Sequence, residues 1–85
     1  MKLVKVLDAI ETVSRSTGKP QQRRIAILQR DDGHFAFAEE YFYRSEYEGE
    51  VIAEGWQQLP PEGIFDSAEI AEVEGRSTLL KRHKR

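Results

Sequence analysis

Residues 24–40, RIAILQRDDGHFAFAEE, decide the fold of this chain, because two alternating apolar runs flank an Asp-Asp-Gly segment. Side chains that alternate with a period of two are typical of β-strands, and a short glycine-containing linker between two such runs indicates a hairpin. The sequence therefore predicts an antiparallel strand pair here.

The turn of this hairpin can close in two ways, and the choice sets which side chains share a face. A two-residue turn at residues 32–33 would set Ile27 opposite Ala38. A three-residue turn, with Gly33 left-handed in a bulge, sets Ile27 opposite Phe37. We expect the three-residue turn, because it gathers the large apolar side chains on one face. The opposite face is then flatter and carries Ala26, Leu28, Ala36 and Ala38.

Two more elements are predicted on either side of this hairpin. The second strand of the hairpin is predicted to end at Arg44 and to be followed by a turn over residues 45–49. Residues 50–59 then alternate around Val51 and Trp56 and predict a third strand, which the following prolines end because proline cannot donate to a β-ladder. Residues 2–14 repeat apolar residues at spacings of three and four, which predicts an amphipathic helix. The residues of this repeat are Leu3, Val6, Leu7, Ile10 and Val13.

A second helix is predicted to start at Ser67, with Asp66 as its N-cap and Glu69 closing a capping box. Gly75 is compatible with a helix stop or with an interior position that costs about 1 kcal/mol relative to alanine. We expect continuation to about Lys81, because Leu79 and Leu80 would otherwise have no apolar surface to join. The predicted apolar stripe of this helix consists of Ile70, Val73, Ser77 and Leu80, with Ala71 beside it.

Together these elements predict one small α+β domain over residues 1–85. Its order is α-β-β-β-α, an antiparallel three-stranded sheet with N- and C-terminal helices packed on it. The sheet face that the first helix covers stays open at this point. Residues 80–85 are predicted to form a basic, flexible tail.

Composition restricts the function and the location. The sequence contains no cysteine, which excludes disulfides, a thiolate nucleophile and cysteine-ligated metal, and it favours the cytoplasm. No apolar run is long enough to span a bilayer, so no membrane association is expected. The net charge of −2 conceals a segregation, since residues 31–74 carry thirteen acids and one arginine between two basic ends.

The aromatic residues point to contact with protein. The predicted sheet carries more large rings than two amphipathic helices can cover, and tyrosine and tryptophan are common anchors of interfaces. The other interpretation is that these rings line the core. We predict a non-enzymatic protein–protein interaction domain whose sheet face is aromatic and acidic, binding a partner protein or a second copy. The candidate interaction residues are Glu39, Tyr41, Tyr43, Tyr47 and Trp56.

The alternative function is nucleic-acid binding through the basic ends. Phe35-Ala36-Phe37 fits the centre of an RNA-recognition strand signature, but its flanking residues do not, and the surplus of acids around the rings would repel phosphates. Nucleic acid is therefore the less favoured partner. The residues that would contact it are Arg23, Arg24, Lys81, Arg82, Lys84 and Arg85.

The amino-acid sequence contains no pattern that indicates catalysis, metal binding or cofactor binding. His34 and His83 are the two histidines, and neither has a serine or carboxylate at a spacing typical of a nucleophile–base pair. Asp31-Asp32-Gly33 lacks the alternate spacing and the distal glutamate of a calcium loop. We expect no enzyme activity, no metal and no cofactor, and a small-ligand pocket between sheet and helix is the least favoured of the three functions.

Overall fold

A computed structural model describes residues 1–14 and 16–83. Within these residues, six antiparallel strands are followed by one C-terminal helix. The strands are β1 (Lys2–Val6), β2 (Ile10–Val13), β3 (Pro20–Gln29), β4 (Phe35–Tyr47), β5 (Glu50–Gln58) and β6 (Glu62–Phe65), and the helix is α1 (Ala68–Arg82).

Two strands, β3 and β4, form the centre of the sheet, and each outer side is made of two separate segments. Strands β1 and β2 pair with opposite ends of β3, while β5 and β6 pair with opposite ends of β4. The prolines after β5 end that strand before the chain returns as β6, as expected for residues that cannot donate to a ladder.

The central hairpin has the register that the sequence predicts. Ile27 lies opposite Phe37 and Leu28 opposite Ala36. Gly33 has a φ of 88°, a left-handed conformation that glycine adopts without steric cost. The three-residue turn is therefore confirmed, and so is the separation into a face of large side chains and a face of small ones.

Helix α1 covers the face of large side chains, and this contact forms the core. Ile25, Ile27 and Phe37 of the sheet pack against Ala71 and Leu79 of the helix. The helix lies close to the strands because Gly75 faces the sheet, where an added Cβ would come within 2.9 Å of Ile25 Cγ2. We call this side of the sheet the helix face and the other side, which α1 does not cover, the open face; Ala26, Leu28 and Ala38 form a second buried cluster there.

The predicted N-terminal helix is wrong, and so is the three-stranded sheet: residues 2–6 form β1 and residues 10–13 form β2, in a sheet of six strands. A β-bulge between Leu3 and Lys5 puts Leu3 and Val6 on the same face, three residues apart. The irregular residues between β1 and β2 put Leu7 and Ile10, also three residues apart, on one face, and both pack on the core. A bulge and a strand break thus imitate the spacing of a helix.

The predicted C-terminal helix is confirmed, including its passage through Gly75, but two details of the prediction are wrong. Its N-cap is Ser67 and not Asp66, since the Ser67 hydroxyl accepts a hydrogen bond from the Ile70 amide at 3.2 Å. Its buried side is Ala71, Gly75 and Leu79. The apolar stripe expected to face the sheet points away from it, because small residues permit the closer approach. Residues 80–82 of the predicted basic tail are the last turn of α1, and residues 84–85 lie outside the described part of the chain.

Candidate functional site

The hairpin of β4 and β5 extends beyond the body of the protein as a two-stranded arm. Strand β3 pairs with β4 only as far as Tyr41, so further along β4 is paired with β5 alone. All residues from 43 to 54 are exposed, and we refer to residues 43–54 as the arm. The molecule is accordingly elongated, with principal extents of 47 × 29 × 18 Å.

The arm carries apolar side chains that nothing in the described chain covers. Tyr47 and Ile52 are each 66% exposed, and Tyr43 and Val51 are also exposed. Isolated two-stranded ribbons are marginally stable in water, and exposed apolar side chains grouped in one place commonly mark a contact surface. The arm therefore has the properties of a segment that gains cover from another molecule.

The arm is also strongly acidic. Residues 43–54 carry four glutamates, of which Arg44 neutralises one through an ion pair with Glu46 at 3.1 Å. The turn at its tip has positive φ at Glu48 (51°) and Gly49 (81°), so that both central residues are left-handed, as a tight hairpin turn requires. A fixed turn holds the glutamates on a ribbon of defined twist, with apolar side chains between them.

A set of aromatic and cationic contacts fixes the root of the arm on the open face. Phe42 and Trp56 lie opposite each other and pack edge to face, with ring centroids 5.3 Å apart. The Arg24 guanidinium lies 4.0 Å from the centre of the Trp56 ring, and its Nε donates to Glu40 Oε1 at 2.7 Å. Because both the cation–π contact and the ion pair hold Arg24, the root is anchored to β3.

On the helix face, tyrosine side chains make the contacts at the root of the arm. The Arg23 guanidinium carbon lies 5.5 Å from the centre of the Tyr41 ring. The Tyr43 ring lies across Gly55, where an added Cβ would come within 3.6 Å of its hydroxyl. Tyr41 and Tyr43 are thus on one face of the ribbon while Trp56 is on the other. The sequence-predicted aromatic set does not form one continuous patch.

Glu39, predicted to contribute to the interaction surface, is instead buried, with 2% of its area exposed. It forms an ion pair with Arg23, its Oε2 lies 3.2 Å from His83 Nε2, and its Oε1 lies 3.5 Å from Arg82 Nη1. Burial alone would raise the pKa of Glu39, but the hydrogen bonds from Arg23 and His83 outweigh it and lower the pKa below its ordinary value. Glu39 therefore joins the end of α1 to the sheet.

The basic residues of the alternative function are largely engaged with carboxylates. Arg23 pairs with Glu39, Arg24 with Glu40, and Arg82 with Glu62. Lys81 is exposed, and residues 84–85 lie outside the described part of the chain. The nucleic-acid interpretation stays a prediction, with three of its arginines already neutralised.

The extent of the arm is the feature that sequence reasoning missed. The sequence predicted a turn over residues 45–49, whereas β4 runs to Tyr47 and the turn is at residues 48–49. The unequal strand lengths were the signal for the arm. Because β4 is longer than β3, the part of β4 that extends beyond β3 can pair only with the third strand. Tyr43 and Tyr47 are the two predicted interaction residues that lie on the arm.

Searches for similar proteins give no indication of a family. Comparison of the chain with protein-family models, with curated proteins and with solved structures finds no match in any of the three. Within residues 1–14 and 16–83, no helix is long and apolar enough to cross a membrane, and no three acidic or histidine side chains are grouped so that they could hold a metal ion.

Proposed function

We propose that this chain is a non-enzymatic protein-interaction domain that binds another polypeptide through its arm. The observation that carries the proposal is the run of residues 43–54, exposed throughout on a ribbon of two strands. A ribbon of this kind has no core of its own, so its exposed apolar side chains are available to a partner.

The charges of the arm indicate the chemistry of that partner. Four glutamates surround Tyr47 and Ile52, and Arg44 is the one basic residue on the arm. Complementary charge increases association rates and selects among partners. A basic polypeptide surface with an apolar centre would match the arm, whereas a polyanion would be repelled.

The rigid root supports this function. A partner that binds the arm can be held in one orientation only if the arm is fixed to the body, and the Arg24–Trp56–Phe42 contacts supply that attachment. Anchoring in advance also reduces the conformational entropy lost on binding. A cytoplasmic location, proposed from the lack of cysteine, completes the proposal.

The experiment places a photoreactive amino acid at Tyr47 or at Ile52 in cells that produce the chain. We expect one discrete adduct with a polypeptide from each position. The control position is Asp31, in the β3–β4 turn, whose side chain is 99% exposed and lies off the arm. Once the adduct is identified, the purified partner is titrated with Tyr47→Ser, Ile52→Ser and Asp31→Ser.

We expect the two arm variants to weaken binding at least about tenfold, the loss of about 1.4 kcal/mol that a buried apolar contact commonly supplies, while Asp31→Ser binds as the unaltered chain does. All three positions are exposed, so folding should be retained and is checked by circular dichroism. Equal adducts from every position, or affinity unaffected by the arm variants, would overturn the proposal.

A further inference from the structure

The outward side of α1 carries an apolar stripe that the fold leaves uncovered. Its residues follow one another at spacings of three, four and three, and Val73 is 63% and Leu80 59% exposed. We call this set the outer stripe; it consists of the exposed Ile70, Val73 and Leu80 together with the half-buried Ser77. It lies on the opposite side of the helix from Ala71, Gly75 and Leu79, which pack on the sheet.

Spacings of three and four alternate in the same way at the a and d positions of a coiled coil, where one helix packs on another. Ile70 and Ser77 then occupy a positions, and Val73 and Leu80 occupy d positions. A helix packed only on its own sheet has no need of a second apolar side. The outer stripe is thus suited to contact a second helix.

The residues that flank the outer stripe restrict which helix can pack there. Glu69 and Arg76 border one side, at g positions, and Glu74 and Lys81 border the other side, at e positions. On each side an acid is followed by a base seven residues later. All four side chains belong to exposed residues, and Arg76 also pairs with Glu72 of its own helix at 3.0 Å.

This order of charges favours an antiparallel copy of the same helix. In antiparallel pairing, g positions face g positions and e positions face e positions, so Glu74 meets the Lys81 of the other copy, while the two copies of Arg76 lie next to each other on the g side. In parallel pairing, g faces e, which would bring Glu69 to Glu74 and Arg76 to Lys81. Antiparallel pairing therefore gives attraction at the e positions, where the Glu74–Lys81 pair occurs twice, whereas parallel pairing gives repulsion on both sides.

We propose that two copies of this chain associate through antiparallel pairing of their α1 helices along the outer stripe, around a two-fold axis near the middle of the helix. The same contact occurs twice, as a two-fold interface requires. The interface involves a different surface from the arm, so it stands or falls independently of the proposed function. It covers about three helical turns, less than the roughly 800 Å² per partner of a standard interface, so we expect a dissociation constant on the order of 100 μM.

The experiment is sedimentation equilibrium of the full chain up to about 2 mM, well above the expected dissociation constant. Lys81→Glu replaces two attractive pairs by repulsion between glutamates and should raise the dissociation constant at least about tenfold. Leu80→Ser should weaken association to a similar degree, because it removes apolar contact. The matched controls are Lys19→Glu and Leu3→Ser, exposed positions away from α1 and from the arm, which should leave association unchanged.

Orientation is tested by exchanging the charges. The double variant Glu74→Lys/Lys81→Glu should restore association, and an equimolar mixture of Glu74→Lys with Lys81→Glu should form heterodimers in preference to either homodimer. A chain that stays monomeric at 2 mM would overturn the proposal. Tighter association of Lys81→Glu would also overturn the proposal. Parallel pairing predicts this result, because the carboxylate introduced at position 81 would then face Arg76 of the other copy.

Discussion

Replacing Gly75 by alanine tests how closely α1 approaches the sheet. In an isolated helix this change should stabilise by about 1 kcal/mol, since glycine is a poor helix former. Here the new Cβ would lie 2.9 Å from Ile25 Cγ2 and 3.1 Å from Phe37 Cγ. Both atoms belong to buried side chains close to their own backbone, so neither can swing aside.

Relief of these contacts requires the helix to move outward, and overpacking of this kind costs about 1–3 kcal/mol. Because this cost outweighs the propensity gain, we expect Gly75→Ala to lower the free energy of unfolding by about 1 kcal/mol. For a domain of 85 residues that loss corresponds to a Tm about 4–8 °C lower.

The assay is thermal unfolding followed by circular dichroism, with the protein at micromolar concentration so that association does not contribute. Ser77→Ala is the control, because Ser77 lies on the outward side of the same helix and should gain slightly in stability from the better helix former. A Tm that rises for Gly75→Ala as it does for Ser77→Ala would refute the close approach of helix and sheet.

Three further changes test other parts of the structure. Glu39→Gln should destabilise by about 2 kcal/mol, because it leaves its partly exposed arginine partner without a counter-charge. Since the folded pKa of Glu39 lies below the ordinary 4.5, this stabilisation is present above that pH and is lost as the pH falls through the folded value, so the variant should show a flatter loss of Tm in acid. Gly63→Ala should cost about 2 kcal/mol or more, because φ is 83° and the new methyl group would overlap the Phe65 ring; urea unfolding measures it. Arg24→Ala should expose Trp56, the single tryptophan, and shift its fluorescence emission to longer wavelength.

For each of these three predictions, a specific result would contradict the structural reason behind it. An acid profile unchanged by Glu39→Gln would show that the carboxylate is not held ionised by its neighbours. Wild-type stability of Gly63→Ala would contradict the left-handed conformation at that residue. Unchanged emission of Arg24→Ala would show that the Arg24 side chain does not cover the indole.

The parts of the fold that could be predicted from sequence are those governed by local chemistry. The Asp-Asp-Gly turn fixed the register of β3 and β4, since Gly33 is the residue there that adopts a left-handed conformation without strain. The capping region of α1 was also readable to within one residue. In both places short-range preference and tertiary packing agree.

The N-terminal strands could not be predicted, because their apolar spacing results from interruptions rather than from a period. The bulge at Val4 and the break before Ile10 each shift the pattern by one residue, and the spacing then matches a helix. What decides between the two is pairing with β3, a contact between residues far apart in sequence. β-Structure depends on such pairing more than on intrinsic preference.

The orientation of α1 could not be predicted for a different reason. Hydrophobicity favours burial of Ile70, Val73 and Leu80, whereas close packing favours the small residues Ala71 and Gly75. The strands beneath carry Ile25, Ile27 and Phe37, which already fill the space between sheet and helix. Small residues were needed on the helix, and the apolar stripe was left outside.

The sequence predicted the type of the candidate site, a contact surface, but not the residues that form it. An excess of aromatic and acidic residues indicated a contact surface, yet Glu39 is buried in an ion cluster and Trp56 supports the root of the arm. Tyr43 and Tyr47 are the predicted residues that lie on the arm itself. Only the unequal lengths of β3, β4 and β5 reveal that this hairpin projects from the body.

The central claim is that the arm binds a partner and contributes no core to the domain, and removal of the arm tests both statements at once. Residues 45–53 are replaced by Asn-Gly, which closes Arg44 to Glu54 by a two-residue hairpin turn and keeps the Phe42–Trp56 pair. We predict that the free energy of unfolding of the shortened chain lies within about 1 kcal/mol of that of the full chain. We also predict that the shortened chain no longer binds the partner identified by crosslinking at Tyr47. Retained binding, or a shortened chain that fails to fold, would contradict the claim.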